Sequence, residues 1–519
     1  MRRPLRLAGI VLAVGAATLA TAPSGGAAGT LGFGDPVYVD QNLAGGEPFV
    51  IHPSTAAPGR LIYTAHEGTT HLYRDGVINA PKGTADFITN YRNQVNIWTS
   101  DDNGASWQRV NFNGTGFFTD PSKNTGFSDP DLTEDAGGNV YNTGIDLAND
   151  ALFSTPDAGR TWPNGTAQCH DGDRPWLAGA QKNTVYLATN TVENGHTVFR
   201  SIDAGNSCDS SWSVAHGNGL GKLYYDRLRH QLVEATYSNG VLGVGTLRDG
   251  ATAFSDRPAA TTTLQSHWPA IAIDSAGNYY LVWDTDDRDP NSTNGCGALP
   301  NSVGGPGASN TPLANSVNLV YSTDGGSTWS APITVARQNG RRLLWPWVTA
   351  GAAGRVGVVW YQYDRVTDPD CGSGNVTIQA AEYSGITRRA TRTVTTGGTR
   401  VIHQGGVCQG GTTCAVTGQD RRLGDYFTDA LDANGCLIIA SGDTTLTDPT
   451  TGSQLPTSRP AFFRQNSGPS LTRNQGCGTA PAATRTAANR APSITALFLI
   501  GGPAMLVLRR RRRGGDVSD

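Results

Sequence analysis

The sequence is poor in methionine and in net charge, and its middle part contains no segment that reads as a long amphipathic helix. Only 2 of its 519 residues are Met, and the formal net charge is −3. No basic stripe marks the folded part, so nucleic acid is not an expected partner. In place of these features, 66 glycines, 28 prolines and 11 tryptophans are spread among short apolar runs. Such a composition is typical of a loop-rich β-sheet protein.

None of the eight cysteines forms a Cys-x-x-Cys motif, which argues against a zinc site built from cysteines. An even number of cysteines suits disulfides in an oxidising compartment. Taken in chain order alone, they give four predicted pairs: Cys169 with Cys208, Cys296 with Cys371, Cys408 with Cys414, and Cys436 with Cys477.

The N-terminus reads as a secretory signal peptide over residues 1–28. Arg2-Arg3 precedes an apolar stretch from Leu7 to Leu19, and Ala20-Thr21-Ala22 offers small residues for cleavage. We therefore expect an exported protein.

The C-terminus predicts a membrane anchor over residues 493–513. Sixteen apolar residues, Ser493 to Leu508, are followed by an arginine run that would remain in the cytoplasm. A span normally needs about 20 residues, so secretion without an anchor is the alternative. The expected domains are thus a folded region at 29–477, a linker at 478–492, the anchor, and a tail at 514–519.

One short pattern, Ser/Thr-x-Asp-x-Gly-x-Ser/Thr-Trp, occurs four times. Its copies begin at Ser100, Thr155, Ser201 and Ser322, and the third ends in Cys208 instead of Trp. The Asp can accept backbone N–H groups across its own turn, and the Gly supplies the positive φ of a tight hairpin. The Trp then enters the next strand as a large apolar side chain. The pattern therefore predicts four strand–turn–strand units.

This pattern resembles the Asp box of bacterial-neuraminidase-type repeats, which occur in sialidases and several other β-propellers. In those families the box lies at blade edges, away from the active site, so the resemblance implies a structural role. The implied fold is an all-β β-propeller with Asp-box hairpins.

A second, looser repeat allows the blades to be counted. It begins with Pro or an equivalent turn residue and continues through an apolar pair, an Asp/Gly-rich turn and a further apolar run. Units of about 35 to 75 residues are long enough for a four-stranded blade. We predict about seven blades, with six as the alternative because the first or fourth unit could be a decorated insertion. The seven starts are Glu47-Pro48, Asp129-Pro130, Arg174-Pro175, Gly221-Lys222, Trp268-Pro269, Trp345-Pro346 and Gly424-Asp425.

The residues at these starts are candidates for a binding site. Innermost strands of a propeller begin on one face of the ring, so these side chains are expected to converge on one mouth of the central channel. A mouth of carboxylates, guanidinium groups and aromatic rings suits a polar anionic or carbohydrate ligand. The alternative is that Asp and Arg form structural ion pairs between blades. The set is Glu47, Asp129, Asp173, Arg174, His267, Trp268, Trp345, Arg421, Arg422, Asp425 and Tyr426.

The sialidase resemblance implies three arginines that hold a substrate carboxylate, a Tyr nucleophile activated by a Glu, and an Asp acid/base. The family signature Phe/Tyr-Arg-Ile-Pro is missing, because Gly45-Gly46-Glu47-Pro48-Phe49 stands at that place. The catalytic residues implied here are Arg174, Arg421 and Arg422 as the grip, Tyr426 as nucleophile, Glu47 as its base, and Asp173.

Two functions from different classes are compatible with these residues. The first is a surface-tethered, sialidase-like exo-glycosidase acting on terminal acidic sugars of glycans. The second is a noncatalytic β-propeller that binds glycan or protein ligands at the cell surface. The missing arginine signature favours binding, whereas the four repeats and the charged mouth favour an exo-α-sialidase-type hydrolase, so enzyme activity stays open. Either function implies a carbohydrate or glycoprotein partner, and we expect a monomer.

No cofactor is expected, and no metal ligands are assigned. The acidic loop Asp284–Asp289 could hold Ca²⁺, but it lacks the Gly and the distal Glu of an EF-hand loop, which favours a solvated loop. His170 lies near Asp171 and Asp173, yet no Gly-x-Ser-x-Gly accompanies it, which argues against Ser/His/Asp hydrolysis.

Overall fold

The described part of the chain is built from β-strands and contains no α-helix. All of its residues belong to one compact unit that ends at residue 479. The computed structural model describes residues 30–41, 43–66, 96–110, 128–145, 149–262, 268–285, 315–338, 341–365, 372–388, 391–409, 419–447, 452 and 457–478.

The described chain begins with two short strands, β1 (Gly32–Phe33) and β2 (Val37–Tyr38). Three antiparallel four-stranded blades follow. The first contains β3 (Phe49–Ile51), β4 (Leu61–Ala65), β5 (Asn96–Ser100) and β6 (Gln108–Arg109). The second contains β7 (Ser128–Glu134), β8 (Val140–Ile145), β9 (Asn149–Thr155) and β10 (Asn164–Asp171). The third contains β11 (Asp173–Gly179), β12 (Val185–Thr191), β13 (Gly195–Ser201) and β14 (Ser213–Ala215).

Three more four-stranded blades continue the ring. The fourth contains β15 (Tyr224–Asp226), β16 (Gln231–Ser238), β17 (Val241–Arg248) and β18 (Ser255–Thr261). The fifth contains β19 (Ala270–Ile273), β20 (Tyr279–Thr285), β21 (Asn315–Ser322) and β22 (Ile333–Gln338). The sixth contains β23 (Arg342–Ala350), β24 (Val356–Tyr363), β25 (Gly374–Ser384) and β26 (Thr393–Gly405).

The seventh blade closes the ring by joining the two ends of the propeller. Its own strands are β27 (Thr428–Leu431), β28 (Leu437–Asp443) and β29 (Arg459–Ser467). Both N-terminal strands pair with β29, β1 through Gly32 opposite Ser467 and β2 through Val37 opposite Phe462. Hydrogen bonds between the first and last strands therefore complete the last blade.

The prediction of a β-propeller with about seven blades is confirmed, and the six-blade alternative is set aside. Each predicted unit start lies at or just before the first strand of a blade. The repeat could be read because most blades begin with a residue that precedes a Pro, at Glu47, Asp129, Arg174, Trp268 and Trp345.

The four repeated turns connect the third and fourth strands of the first, second, third and fifth blades. In the first, Asp102 Oδ1 accepts the backbone N–H of Ser106 at 2.8 Å, and its Oδ2 accepts the Ser106 hydroxyl at 2.5 Å. The turn passes through Gly104, whose φ of 86° is unfavourable for other residues. The same pair of bonds recurs at Asp157, Asp203 and Asp324.

Aromatic rings from the innermost strands, or from the residues just before them, pack against one another near the blade entrances. Tyr426 lies at their centre, with ring centroids 5.2 Å from Trp176, 5.7 Å from Trp268 and 6.2 Å from Trp347. Phe49 meets Trp347 edge to face at 6.0 Å. We call these five residues the aromatic layer, and it forms a floor beneath the residues that begin the strands.

Two of the four predicted disulfides are confirmed. Cys169 bonds to Cys208, and Cys436 bonds to Cys477. Cys408 is also disulfide-bonded. The pairs Cys296–Cys371 and Cys408–Cys414 stay predictions, because Cys296, Cys371 and Cys414 lie outside the described residues.

Within the described ranges, no helix is long and apolar enough to cross a membrane. The predicted signal peptide and anchor, at residues 1–28 and 493–513, lie outside those ranges and stay predictions.

Candidate functional site

The candidate site lies at the end of the channel where the innermost strands begin, which we call the mouth. Glu47 precedes β3, Asp129 lies near the start of β7, and Asp173 begins β11. His66 directly follows β4. Because β3 and β4 form an antiparallel hairpin, the end of β4 lies beside the start of β3, which brings His66 to Glu47. Arg421 and Asp425 come from the segment before β27. Four blade entrances and one strand end thus bring ionisable groups to one place.

A left-handed backbone recurs at the mouth in residues that precede a Pro. The φ values are 48° at Glu47, 52° at Asp129, 60° at Arg174 and 52° at Trp345. The strand register is interrupted next to three of them, between Ser128 and Asp131, Asp173 and Trp176, and Leu344 and Trp347. Such bulges re-aim side chains, and a left-handed residue other than Gly costs about 1–3 kcal/mol. Repeated local strain of this kind often accompanies function.

Glu47 and Arg421 form the buried base of the mouth. The exposed fraction of Glu47 is 1% and that of Arg421 is 9%. Glu47 Oε1 accepts hydrogen bonds from Arg421 Nη2 at 3.2 Å and from the backbone N–H of Asp425 at 3.0 Å. Arg421 also donates to the Asp425 carboxylate. The Arg421 guanidinium therefore serves two carboxylates of the protein itself.

His66 lies on the other side of Glu47. Its Nε2 is 2.5 Å from Glu47 Oε2 and 2.7 Å from the hydroxyl of Ser128, which donates to Asp129 Oδ1 at 2.7 Å. Burial alone would lower the pKa of His66, but the Glu47 carboxylate and contacts with Asp129 raise it to about 10. Burial would raise the pKa of Glu47, yet His66 and Arg421 hold it below its ordinary value. Both residues are therefore charged at neutral pH.

Asp173 and Arg174 form the solvent-facing part of the mouth. Their side chains are 59% and 28% exposed, and Arg174 Nε lies 3.8 Å from Asp173 Oδ2. The guanidinium of Arg174 lies over the Trp268 ring, 4.8 Å from its centroid. Desolvation and then repulsion from Asp129 raise the pKa of Asp173 to about 6, although Arg174 acts in the opposite direction. These two side chains are the predicted site residues that a ligand can reach most directly.

Asp150 adds a buried carboxyl group behind the mouth. It is fully buried, and its two carboxyl oxygens have no hydrogen-bond partner in the described part of the chain. Burial and then the carboxylates of Asp129, Asp173 and Asp171 raise its pKa well above the ordinary value. This shift favours the neutral, protonated form of the Asp150 carboxyl group.

Tyr426, the predicted nucleophile, lies in the aromatic layer. It is 3% exposed, and its hydroxyl donates to the backbone carbonyl of Pro130 at 2.7 Å. Burial and then the charge of Glu47 raise its pKa well above the ordinary value. The hydroxyl thus donates its hydrogen bond to a backbone acceptor, Pro130, and not to Glu47.

Each of the three arginines predicted to hold a substrate carboxylate contacts different groups of the protein. Arg422 donates to both carboxylate oxygens of Asp420, at 2.9 and 2.5 Å, and to the carbonyl of Gln404 at 2.7 Å. Arg421 lies between Glu47 and Asp425, as described above. Arg174 differs from the other two in that its guanidinium stacks on the Trp268 ring at the open side of the mouth.

The remaining sequence-based candidates fall elsewhere. Trp345 is 4% exposed and packs against Tyr361, so it contributes to the core. His267 and residues 286–289 of the acidic loop lie outside the described residues, and the Ca²⁺ hypothesis stays a prediction. Asp284, at the start of that loop, accepts the backbone N–H of Trp345 at 3.3 Å.

Three important groups were not predicted from the sequence: His66, Ser128 and Asp150. His66 follows the apolar run Leu61–Ala65, and the hairpin rule could have placed it beside Glu47. One oxygen of Glu47, one nitrogen of His66 and one oxygen of Asp129 lie within 4.8 Å of one another, which is a spacing compatible with a metal ion.

Comparisons with known proteins identify no family. No protein-family model and no curated protein matches the chain. Similar solved structures include YCF48 bound to D1 peptide, with a TM-score of 0.40 and 11% identity over 85% of this chain and 99% of that chain. A polysaccharide lyase of family PL25, an ulvan lyase, has a TM-score of 0.39 and 10% identity over 84% and 96% of the two chains. A leech intramolecular trans-sialidase complexed with 2,7-anhydro-Neu5Ac has a TM-score of 0.36 and 13% identity over 83% and 69%.

These similarities are too distant to transfer a ligand or an activity. The class of the protein, a seven-bladed β-propeller, rests on the seven sheets of the chain itself.

Proposed function

We propose that this protein is a noncatalytic β-propeller that binds carbohydrate at the mouth of its channel. The observation that carries the proposal is the pairing of Asp173 and Arg174 at the open side of the mouth, over the aromatic layer. A carboxylate accepts hydrogen bonds from sugar hydroxyls, and a guanidinium donates them in a fixed planar arrangement. The closed floor beneath them would limit a ligand to the terminal part of a glycan.

The charges at the mouth favour a neutral sugar over an acidic one. Its carboxyl groups are those of Glu47, Asp129, Asp173 and Asp425, and its basic side chains are those of His66, Arg174 and Arg421. Arg421 is already neutralised by Glu47 and Asp425. A ligand carboxylate would therefore meet Arg174 beside the carboxylates of Asp173 and Asp129, and such like-charge neighbours weaken binding.

The proposed place of action is the cell surface or the surrounding medium. The signal peptide and the C-terminal anchor are read from the sequence, and the two disulfides suit an oxidising compartment. We propose a monomer attached through its C-terminus.

A second candidate is hydrolysis of a glycosidic bond, and the pKa of Asp173 favours it. A carboxyl group with a pKa of about 6 can donate a proton in mildly acidic solution. Its partner carboxylate would be Asp129 or Glu47, as in glycosidases that use two carboxylates. A sialidase-type reaction through Tyr426 is less well supported, because that hydroxyl is buried and the arginines are engaged separately.

The full chain should be tested on a glycan array and on a panel of fluorogenic glycosides that includes sialosides and neutral sugars. We expect saturable binding of a neutral glycan that Arg174→Ala weakens at least about 10-fold, with no turnover. For the Asp173→Asn variant, the matched control for loss of a negative charge is Asp35→Asn, because Asp35 is 92% exposed and its ion pair is exposed.

Turnover that Asp173→Asn abolishes would replace the binding proposal by the second candidate. Turnover of sialosides that Tyr426→Phe abolishes in a folded protein would instead support the sialidase-type reaction. Equal binding by Arg174→Ala and by the native protein would mean that the ligand binds outside the mouth.

A further inference from the structure

The contacts of His66 cannot all be satisfied by one proton. Its Nε2 lies 2.5 Å from Glu47 Oε2, 2.7 Å from Ser128 Oγ and 3.8 Å from Asp129 Oδ1. A ring nitrogen carries at most one hydrogen, so it can donate one strong hydrogen bond. The direction of the ring suits Ser128, so the buried Glu47 Oε2 forms an ion pair with His66 but has no hydrogen bond of good geometry within the described part of the chain.

The positive partner of this oxygen is the His66 imidazolium, and a metal ion could take the place of the imidazolium proton. Glu47 is 1% exposed, so water cannot replace the missing hydrogen bond freely. Leaving a buried carboxylate oxygen unsatisfied is costly, because charged groups lose more solvation than neutral ones. A metal ion differs from a proton in that it can contact the nitrogen and both carboxylates at once.

We propose that Glu47, His66 and Asp129 bind one divalent transition-metal ion, with Zn²⁺ as the preferred ion. Their ligand atoms lie within 4.8 Å of one another, and they come from the entrances of two neighbouring blades and the end of β4. One imidazole nitrogen with carboxylate oxygens is a donor set that Zn²⁺ accepts, whereas Ca²⁺ and Mg²⁺ prefer oxygen alone.

The distances set a condition on binding. Two ligand atoms of a tetrahedral zinc ion lie about 3.3 Å apart, given bonds of about 2.0 Å. The 3.8 Å separation of His66 Nε2 and Asp129 Oδ1 is close to that value. The 2.5 Å separation of Nε2 and Glu47 Oε2 must widen by about 0.8 Å, which a rotation of either side chain can supply.

Neighbouring groups already hold the ligands in place. Glu47 Oε1 is fixed by Arg421 and by the backbone N–H of Asp425, so Oε2 is the oxygen left to face the ion. Ser128 donates to Asp129 Oδ1 and orients that carboxylate. Such outer partners tune metal affinity, often by 10–100-fold. The Asp129 side chain is 18% exposed, which provides a path of entry from solvent.

The inference does not rest on carbohydrate binding, because metal content can be measured without any sugar. The full chain is stripped with a chelator and then titrated with Zn²⁺ by calorimetry, and its metal content is measured after dialysis against Zn²⁺. We expect one equivalent of Zn²⁺ per chain. Replacement by Co²⁺ should give the visible absorption of a four- or five-coordinate ion, and this spectroscopic signature reports ligation directly.

Two variants and two controls make the result specific. His66→Gln and Asp129→Asn should each weaken Zn²⁺ binding at least about 10-fold and change the Co²⁺ spectrum. Asp129→Asn is the safer variant, because Asp129 is only half-buried and the variant should fold. His230→Gln and Asp35→Asn remove an exposed His and an exposed Asp and should leave both readouts unchanged.

Three results would overturn the proposal. The first is no saturable Zn²⁺ binding by the folded chain. The second is binding that Asp129→Asn and His66→Gln leave unchanged, which would mean an adventitious ion only. The third is binding of Ca²⁺ in preference to Zn²⁺, which would exclude a site that depends on an imidazole ligand.

Discussion

Lys222 Nζ lies 2.5 Å from Asp131 Oδ2, and this buried ion pair joins the entrance of the fourth blade to the innermost strand of the second. The third blade lies between them and takes part, since Leu177 donates its N–H to Asp131 and accepts a hydrogen bond from Lys222. Burial lowers the pKa of Lys222 and raises that of Asp131, and their mutual attraction opposes both shifts. One ion pair thus ties three blades together at the channel.

Replacing Lys222 by Met should destabilise the propeller strongly. Asp131 would remain buried without a cation, which typically costs about 3–5 kcal/mol in the free energy of unfolding. Urea unfolding measures the change, and Lys182→Met is the control because Lys182 is exposed. A double variant, Lys222→Met with Asp131→Asn, should regain part of the loss. Equal stability of Lys222→Met and Lys182→Met would contradict the structural role.

Glu234 should make stability depend on pH through two histidines. Its Oε1 lies 2.5 Å from His196 Nε2, and its Oε2 lies 2.6 Å from His216 Nδ1. Burial would raise the pKa of Glu234, but His196 and His216 lower it. Burial would lower the pKa of His216, but Glu234 and Asp256 raise it.

The two pKa shifts determine the pH range in which Glu234 and His216 stabilise the folded protein most. The contribution of Glu234 is present above its unfolded value of 4.5 and is lost as pH falls through its lower folded pKa. The contribution of His216 is present below its unfolded value of 6.5 and is lost as pH rises through its higher folded pKa. The difference in Tm between the native protein and Glu234→Gln should therefore be largest between pH 4.5 and 6.5. Thermal unfolding from pH 4 to 9 tests this, and a difference that does not change with pH would refute it.

Asp324 should contribute to stability without affecting ligand binding. Its carboxylate accepts the N–H and the hydroxyl of Thr328, and these hydrogen bonds, the hydroxyl first, lower its pKa to about 2. Asp324→Ala removes both acceptors in an exposed turn, and we expect a loss of about 1–2 kcal/mol. Asp324→Asn keeps one oxygen and should lose less, as denaturant unfolding of both variants can show. Weaker carbohydrate binding in either folded variant would contradict the separation of turn and mouth.

Tyr426→Phe should lower stability and leave ligand binding unchanged. The substitution removes the hydrogen bond to the Pro130 carbonyl but keeps the ring that packs against Trp176. A lost buried hydrogen bond costs about 1–2 kcal/mol. Urea unfolding and binding of the same glycan, measured side by side, test the prediction. Tyr321→Phe is a control at a Tyr that is only partly buried.

The blades could be predicted from the sequence because their signals are local. A turn such as Ser322 to Trp329 contains its own hydrogen-bond partners, so a short pattern is enough to recognise it. The X-Pro residues Glu47 and Asp129 were placed at the mouth for the same reason, since each marks a blade entrance.

The pairing of charges could not be predicted, because it depends on contacts between distant parts of the chain. Arg421 and Arg422 are adjacent in sequence and look equivalent. In the folded protein the first contacts Glu47, which is 374 positions away, and the second contacts Asp420, only 2 positions away. Ser128 and Asp150 were missed because their roles depend on strand register, which the repeat pattern does not reveal.

Because β1 and β2 pair with β29, the propeller ring can close only after β29 has been synthesised. The first strands leave the ribosome long before Arg459–Ser467 exists, so their edges have no partner while the intervening blades are being synthesised. Contacts between residues so far apart in sequence are slow to form. A chain that stops before β29 keeps two open edges in place of one closed ring, and exposed edges of this kind invite aggregation.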